Sequence, residues 1–147
     1  NRVFSGFDLL ASERGLEKIK TIGDAYMVAG GLPDPQPDHL SRMAELALEM
    51  QESIAPIQSE YEELSLRIGI HAGSAIAGVI GIRKFIYDVW GDTVNTAQRL
   101  QSAAKEGQII IAQSAFDKVK ESFNCKAVGE VSLKNKALPL ILYEVLN

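Results

Sequence analysis

The hydrophobic period of the chain changes abruptly at one glycine. Phe85 to Trp90 is an aromatic and β-branched run with strand character, Gly91-Asp92 interrupts it, and from Thr93 to Leu100 the apolar residues Val94, Ala97 and Leu100 recur at helical spacing. A strand that feeds a helix across so short a break excludes an all-helical and an all-strand fold. The same turn gathers polar groups. Asp88 leaves the strand just before it, and Asn95 and Arg99, four residues apart, project from one helix face. A carboxylate, a carboxamide and a guanidinium around one turn can read a nucleotide. Taken alone, the three also suit a solvated helix face beside a turn acid.

Before this turn, Val3, Phe4, Phe7 and Leu10 have helical spacing and Gly15 supplies a stop. Leu16 to Ile22 and Ala25 to Ala29 flank Gly23-Asp24, which predicts a β-hairpin with Asp24 at or next to its tip. Gly30, Gly31, Pro33, Pro35 and Pro37 make a stiff loop, and Asp38 is placed to cap a long helix that buries Leu40, Met43, Leu46, Ala47, Met50, Ile54 and Ile57 and ends or kinks near Pro56. Leu66, Ile68 and Ile70 alternate with polar or small residues as in a strand with one buried face, and Ala75 to Ile80 continues as an apolar strand. After the turn come a buried strand at Ile109 to Ala112 and a helix capped by Ser114, with Asp117 three residues on, that buries Phe116, Val119 and Phe123. Two final strands, Val128 to Leu133 and Leu138 to Leu146, enclose a basic loop at Lys134 and Lys136. Hairpins with covering helices predict one α+β sandwich, mainly antiparallel, over residues 1–147.

The 147 residues, 46% hydrophobic and 23% charged, suffice for one core. A formal charge of -4 without a basic stripe argues against long nucleic acids, which demand many cationic contacts, whereas one nucleotide needs few. Cys125 is the only cysteine, so no internal disulfide can form, and the distant His39 and His71 suggest no zinc site. A reducing, cytoplasmic setting is expected. No apolar run approaches the roughly 18 to 20 residues that span a bilayer, so no membrane contact is expected of this segment. Asn1 falls within a helical pattern, and a longer parent protein is expected.

Three blocks carry a family resemblance: Glu17-Lys18-Ile19-Lys20-Thr21-Ile22-Gly23-Asp24-Ala25-Tyr26-Met27, then Leu66-Arg67-Ile68-Gly69-Ile70-His71-Ala72-Gly73, then Tyr87-Asp88-Val89-Trp90-Gly91-Asp92-Thr93-Val94-Asn95. In this order and at these separations the chain resembles the class III nucleotidyl cyclase catalytic domain, in particular bacterial homodimeric adenylate cyclases of the cyanobacterial and mycobacterial type. The resemblance runs from about Asn1 to Asn147. It implies a ferredoxin-like core whose first strand and helix precede these residues, and a head-to-tail homodimer with two active sites between subunits. It further implies conversion of ATP to 3′,5′-cyclic AMP and pyrophosphate with two divalent cations, magnesium or manganese.

Site roles follow from the resemblance position by position. Asp24 matches the second of two metal-holding aspartates, and a carboxylate at a hairpin tip suits a hard ion. The first is absent from residues 1–147, so this segment by itself is expected to have little activity. Lys20 and Asp88 match the two base-reading positions. Adenine offers an acceptor at N1 and a donor at N6, which a lysine and an aspartate satisfy, whereas a lysine facing guanine N1-H opposes two donors. Arg99 matches the arginine that stabilises the transition-state phosphoryl group, and Asn95 the residue that positions the ribose. Arg67 resembles a further phosphate contact. Lys134 matches a lysine on the terminal phosphates, although the loop reads Lys134-Asn135-Lys136-Ala137 where a Lys-Gly-Lys-Gly pattern is common. Because Asp24, Lys20, Asp88 and Arg99 coexist in one chain, each subunit can serve both sides of a symmetric interface. A degenerate nucleotide-binding regulatory domain, a guanylate cyclase and an α+β interaction module are the competing readings.

Overall fold

The computed structural model describes residues 2–81, 83–84, 86–132 and 138–147. Helix α1 (Arg2–Glu13) leads into a hairpin of β1 (Glu17–Ile22) and β2 (Ala25–Ala29). Ile22 pairs with Ala25, leaving Gly23 and Asp24 as the turn, and Gly23 takes the left-handed φ of +59° that glycine adopts without penalty. Helix α2 (His39–Gln58) follows, then β3 (Ile68–Ile70), a second hairpin of β4 (Ile76–Ile80) and β5 (Ile86–Trp90), and α3 (Asp92–Ala103). The chain ends with β6 (Ile109–Ala112), α4 (Gln113–Val119), β7 (Cys125–Val131) and β8 (Leu140–Val145).

The central sheet has the order β3-β6-β8-β7, and only its β3–β6 pairing is parallel. Every residue of β6 is buried because helices cover both faces. Ile109 and Ile111 pack with Leu40 and Ala47 of α2 and Ala115 and Val119 of α4, while Ile110 and Ala112 pack with Leu100 of α3. This alternation is what a strand buried on two sides requires. A second core lies between α1 and α2, where Phe7 and Ala11 meet Leu46, Met50 and Ile54 against Tyr26 and Val28 of β2. Phe4, Phe7 and Tyr26 interlock at ring-centroid distances of 5.3 to 6.1 Å. The mainly antiparallel α+β sandwich expected from the sequence is therefore present. Among the described residues, no helix is long and apolar enough to cross a membrane.

Two local expectations are corrected. The Asp38 side chain does not cap α2 but pairs with Arg42 Nε at 2.9 Å, a neighbour one turn along that offers charge as well as a hydrogen bond. Helix α2 does end near Pro56, at Gln58, as the proline suggests. Ser114 caps nothing, because α4 starts at Gln113 directly from β6 and Asp117 accepts a hydrogen bond from the Gln113 side chain at 2.9 Å.

One glycine decides how closely α3 approaches the sheet. A Cβ on Gly69 in β3 would sit 2.3 Å from the Gln101 backbone nitrogen and 2.4 Å from the Ala97 carbonyl oxygen, neither of which can swing aside. Gly69→Ala is expected to cost about 3 kcal/mol or more through this overpacking. Gly6→Ala, which adds a Cβ to open space on α1, is expected to leave stability unchanged or raise it by up to about 1 kcal/mol. Thermal unfolding of the two variants checks the contrast.

Candidate active site

The first hairpin and β5 bring together two groups that are 68 residues apart in sequence. Lys20 Nζ on β1 donates to Asp88 Oδ2 on β5 at 2.9 Å, and Asp88 Oδ1 accepts from the Val89 backbone N–H at 2.8 Å. The side chains retain 34% and 14% exposure, so the pair is part-buried but open on one side. The hydrogen bond from the Lys20 ammonium, with that from Val89, holds the Asp88 carboxyl below the usual carboxylate range. The stabilisation from this shift is complete at neutral pH and is lost only as pH falls through the lowered pKa. A β-bulge in β1 between Lys18 and Lys20 lies immediately before the lysine, and bulges recur where a strand must re-aim a side chain beside a site.

The pair keeps spare hydrogen-bonding capacity. Two N–H donors remain on Lys20 and free lone pairs on Asp88, so a donor and an acceptor stand side by side. Gly78 lies directly opposite Asp88 across the β4–β5 hairpin and presents no side chain over it.

Among the described residues, none of the remaining candidates bonds to this pair. Asp24 is exposed at the β1–β2 turn, and no ion pair with it is formed among the described residues. Asn95 and Arg99 are exposed on α3. Their face lies opposite the helix seat, since Thr93, Ala97 and Gln101 follow one stripe and Asn95 and Arg99 are rotated from it by about 200°. Arg67 is exposed just ahead of β3. Lys134 lies outside the described residues.

As a hard oxygen donor at an exposed tip, Asp24 fits one ligand position of a divalent ion. Among the described residues no three acidic, histidine or cysteine side chains gather as a metal cluster.

Residues 1–146 match the model of the adenylate and guanylate cyclase catalytic domain. The chain belongs to the class III adenylate and guanylate cyclase catalytic-domain family. It is 40% identical to an adenylate cyclase of Mycobacterium tuberculosis over 139 residues, 94% of this chain and 31% of that protein. It is also 40% identical to a membrane guanylyl cyclase of Dictyostelium discoideum over 125 residues, 84% of this chain and 8% of that protein. The guanylate cyclase domain of RhGC from Catenaria anguillulae, solved in complex with GTP, superposes with a TM-score of 0.86 at 32% identity, covering 99% of this chain and 80% of that one. The chain thus spans less than a third of the length of these two full-length relatives, and the cyclase family to which it belongs includes both base specificities.

Sequence reasoning did not single out Gly69. Gly69, which admits α3 to the sheet, carried the usual signal of a lone glycine in a strand, namely close backbone approach. Thr93, which lies in the third family block and reads there as scaffold rather than chemistry, donates its hydroxyl to the Ser74 carbonyl oxygen.

Proposed function

We propose that the domain is an adenylate cyclase that converts ATP to 3′,5′-cyclic AMP and pyrophosphate in a head-to-tail homodimer. The Lys20–Asp88 pair carries this reading. A donor and an acceptor at hydrogen-bonding distance from each other can meet the N1 and N6 edge of adenine, with Lys20 toward N1 and Asp88 toward the amine. Guanine has the reverse polarity there, so the same placement would oppose Lys20 to N1-H and Asp88 to O6, at a cost of about 1–3 kcal/mol for each mismatched group.

In the reaction the ribose 3′-hydroxyl gives up its proton to solvent as its oxygen attacks the α-phosphorus, the new O3′–P bond closes the ring, and the bond from the α-phosphorus to the bridging oxygen breaks to release pyrophosphate. Divalent ions, held in part by Asp24, supply neutralising charge for the phosphates when bound. Arg99 counters charge on the α-phosphoryl oxygens, Asn95 orients the ribose, and Arg67 and Lys134 hold the outer phosphates. The first of the two metal-holding aspartates that the family resemblance implies has no match within residues 1–147. Residues 1–147 by themselves are therefore expected to turn over little, and robust turnover by them would remove the need for that ligand.

Two features support the dimer. Asn95 and Arg99 face away from the core that seats their helix. In addition, Ile76, Ile80, Ile86 and Trp90 are 40–59% exposed and, by register, share one face of the β4–β5 hairpin with Asp88. An apolar face of this kind beside catalytic groups suits a second copy of the chain.

The similarity to the Dictyostelium guanylyl cyclase favours GTP as the alternative substrate. Joint exchange Lys20→Glu and Asp88→Cys decides between them. The ATP-to-GTP ratio of kcat/KM is expected to fall by about 100-fold, from two reversed polar contacts. An unchanged ratio would remove the pair from base selection.

A further inference from the structure

We propose that Thr93 is a positioning residue for the catalytic face of α3. This inference rests on the cyclase reading and adds a residue to it. Helix α3 meets the β3 segment at two places along one stripe. At the lower contact, the Gln101 and Ala97 backbone lies against Gly69. At the upper contact, two residues before Asn95, Thr93 donates its Oγ1 hydrogen to the Ser74 carbonyl oxygen. A Cβ on Gly73 would lie 2.8 Å from Thr93 Oγ1, so a side chain there would displace the hydroxyl.

The lower contact fixes how deep the helix sits, and Leu100 and Thr96, both almost fully buried, hold its middle. Among the described residues, no apolar side chain of the first turn is as deeply buried. Its N-cap position is Gly91, which offers no side chain to cap the turn. The Thr93–Ser74 bond ties that turn to the loop between β3 and β4. Rotation of the first turn would swing Asn95 directly and Arg99 through the following turn, and small misplacement of groups that act only on the transition state lowers turnover more than binding.

The test uses the full-length protein with ATP and metal in excess. Thr93→Val keeps the shape and removes the donor. It is expected to lower kcat by about 30-fold with KM for ATP within about threefold of wild type, whereas Thr93→Ser is expected to stay within about threefold in both. Gly73→Ala is expected to behave as the valine variant and provides the same test if that variant does not fold. Wild-type kcat in Thr93→Val, equal losses in serine and valine, or a matching rise in KM would overturn the positioning role. Arg99→Ala, run alongside, separates the two levels. If wild type turns over and Arg99→Ala does not while Thr93→Val remains fully active, only the role of Thr93 fails. If wild type forms no cyclic nucleotide, the cyclase reading fails and the role of Thr93 with it.

Discussion

Asp24→Asn is expected to lower kcat at saturating ATP by at least about 100-fold and to raise the magnesium or manganese concentration needed for half-maximal rate. The size follows from what the substitution removes. A carboxamide occupies the same space as the carboxylate, and the hairpin turn rests on Gly23 and on the Ile22–Ala25 pairing, so the fold is retained. Lost is the anionic oxygen that a hard divalent ion prefers, together with its share of the charge that offsets the polyphosphate. Each step of about 1.36 kcal/mol lost from transition-state stabilisation is tenfold in rate, so a hundredfold loss corresponds to about 2.7 kcal/mol. Initial rates across a metal titration, with thermal unfolding as a check on folding, decide the matter. An Asp24→Asn variant with wild-type kcat and metal dependence would show that Asp24 is an ordinary turn aspartate.

Much of the fold was legible because its signals are local. Gly23-Asp24 between two apolar runs marks the first hairpin, and the period change at Gly91 marks β5 and α3, since each pattern reports a contact within a few residues. The capping signals at Asp38 and Ser114 failed for a related reason. Each competes with an alternative a few residues away, the Arg42 guanidinium in one case and the direct run of β6 into α4 in the other. The pairing of Lys20 with Asp88 was legible only through the family resemblance. Lys20 and Asp88 meet because β1 lies beside β5, and neither the bulge before Lys20 nor the separation of 68 residues leaves a trace in periodicity. Gly69 was obscured in another way, because its effect lies in how near a helix comes to a strand. Composition near the residue does not encode that distance.

Arg99→Ala is expected to lower kcat by about 100- to 1,000-fold with little change in the ATP-to-GTP preference, because it removes positive charge that is used only as charge builds on the α-phosphoryl group. Arg99 is exposed on α3, so its loss leaves the core intact. The more demanding result concerns mixtures. In a head-to-tail dimer each site takes Asp24, Arg67 and the ion from one subunit and Lys20, Asp88, Asn95 and Arg99 from its partner. The Lys20–Asp88 bond within a single chain is consistent with this division. If Asp24→Asn and Arg99→Ala subunits exchange randomly, half of the dimers are mixed, and each mixed dimer holds one intact site and one doubly impaired site. Activity should then recover to about a quarter of wild type, although neither variant alone is active. Size-exclusion chromatography of the mixture confirms that dimers form. If dimers form and no activity returns, Asp24 and Arg99 act within one subunit, and the orientation of the dimer must be redrawn.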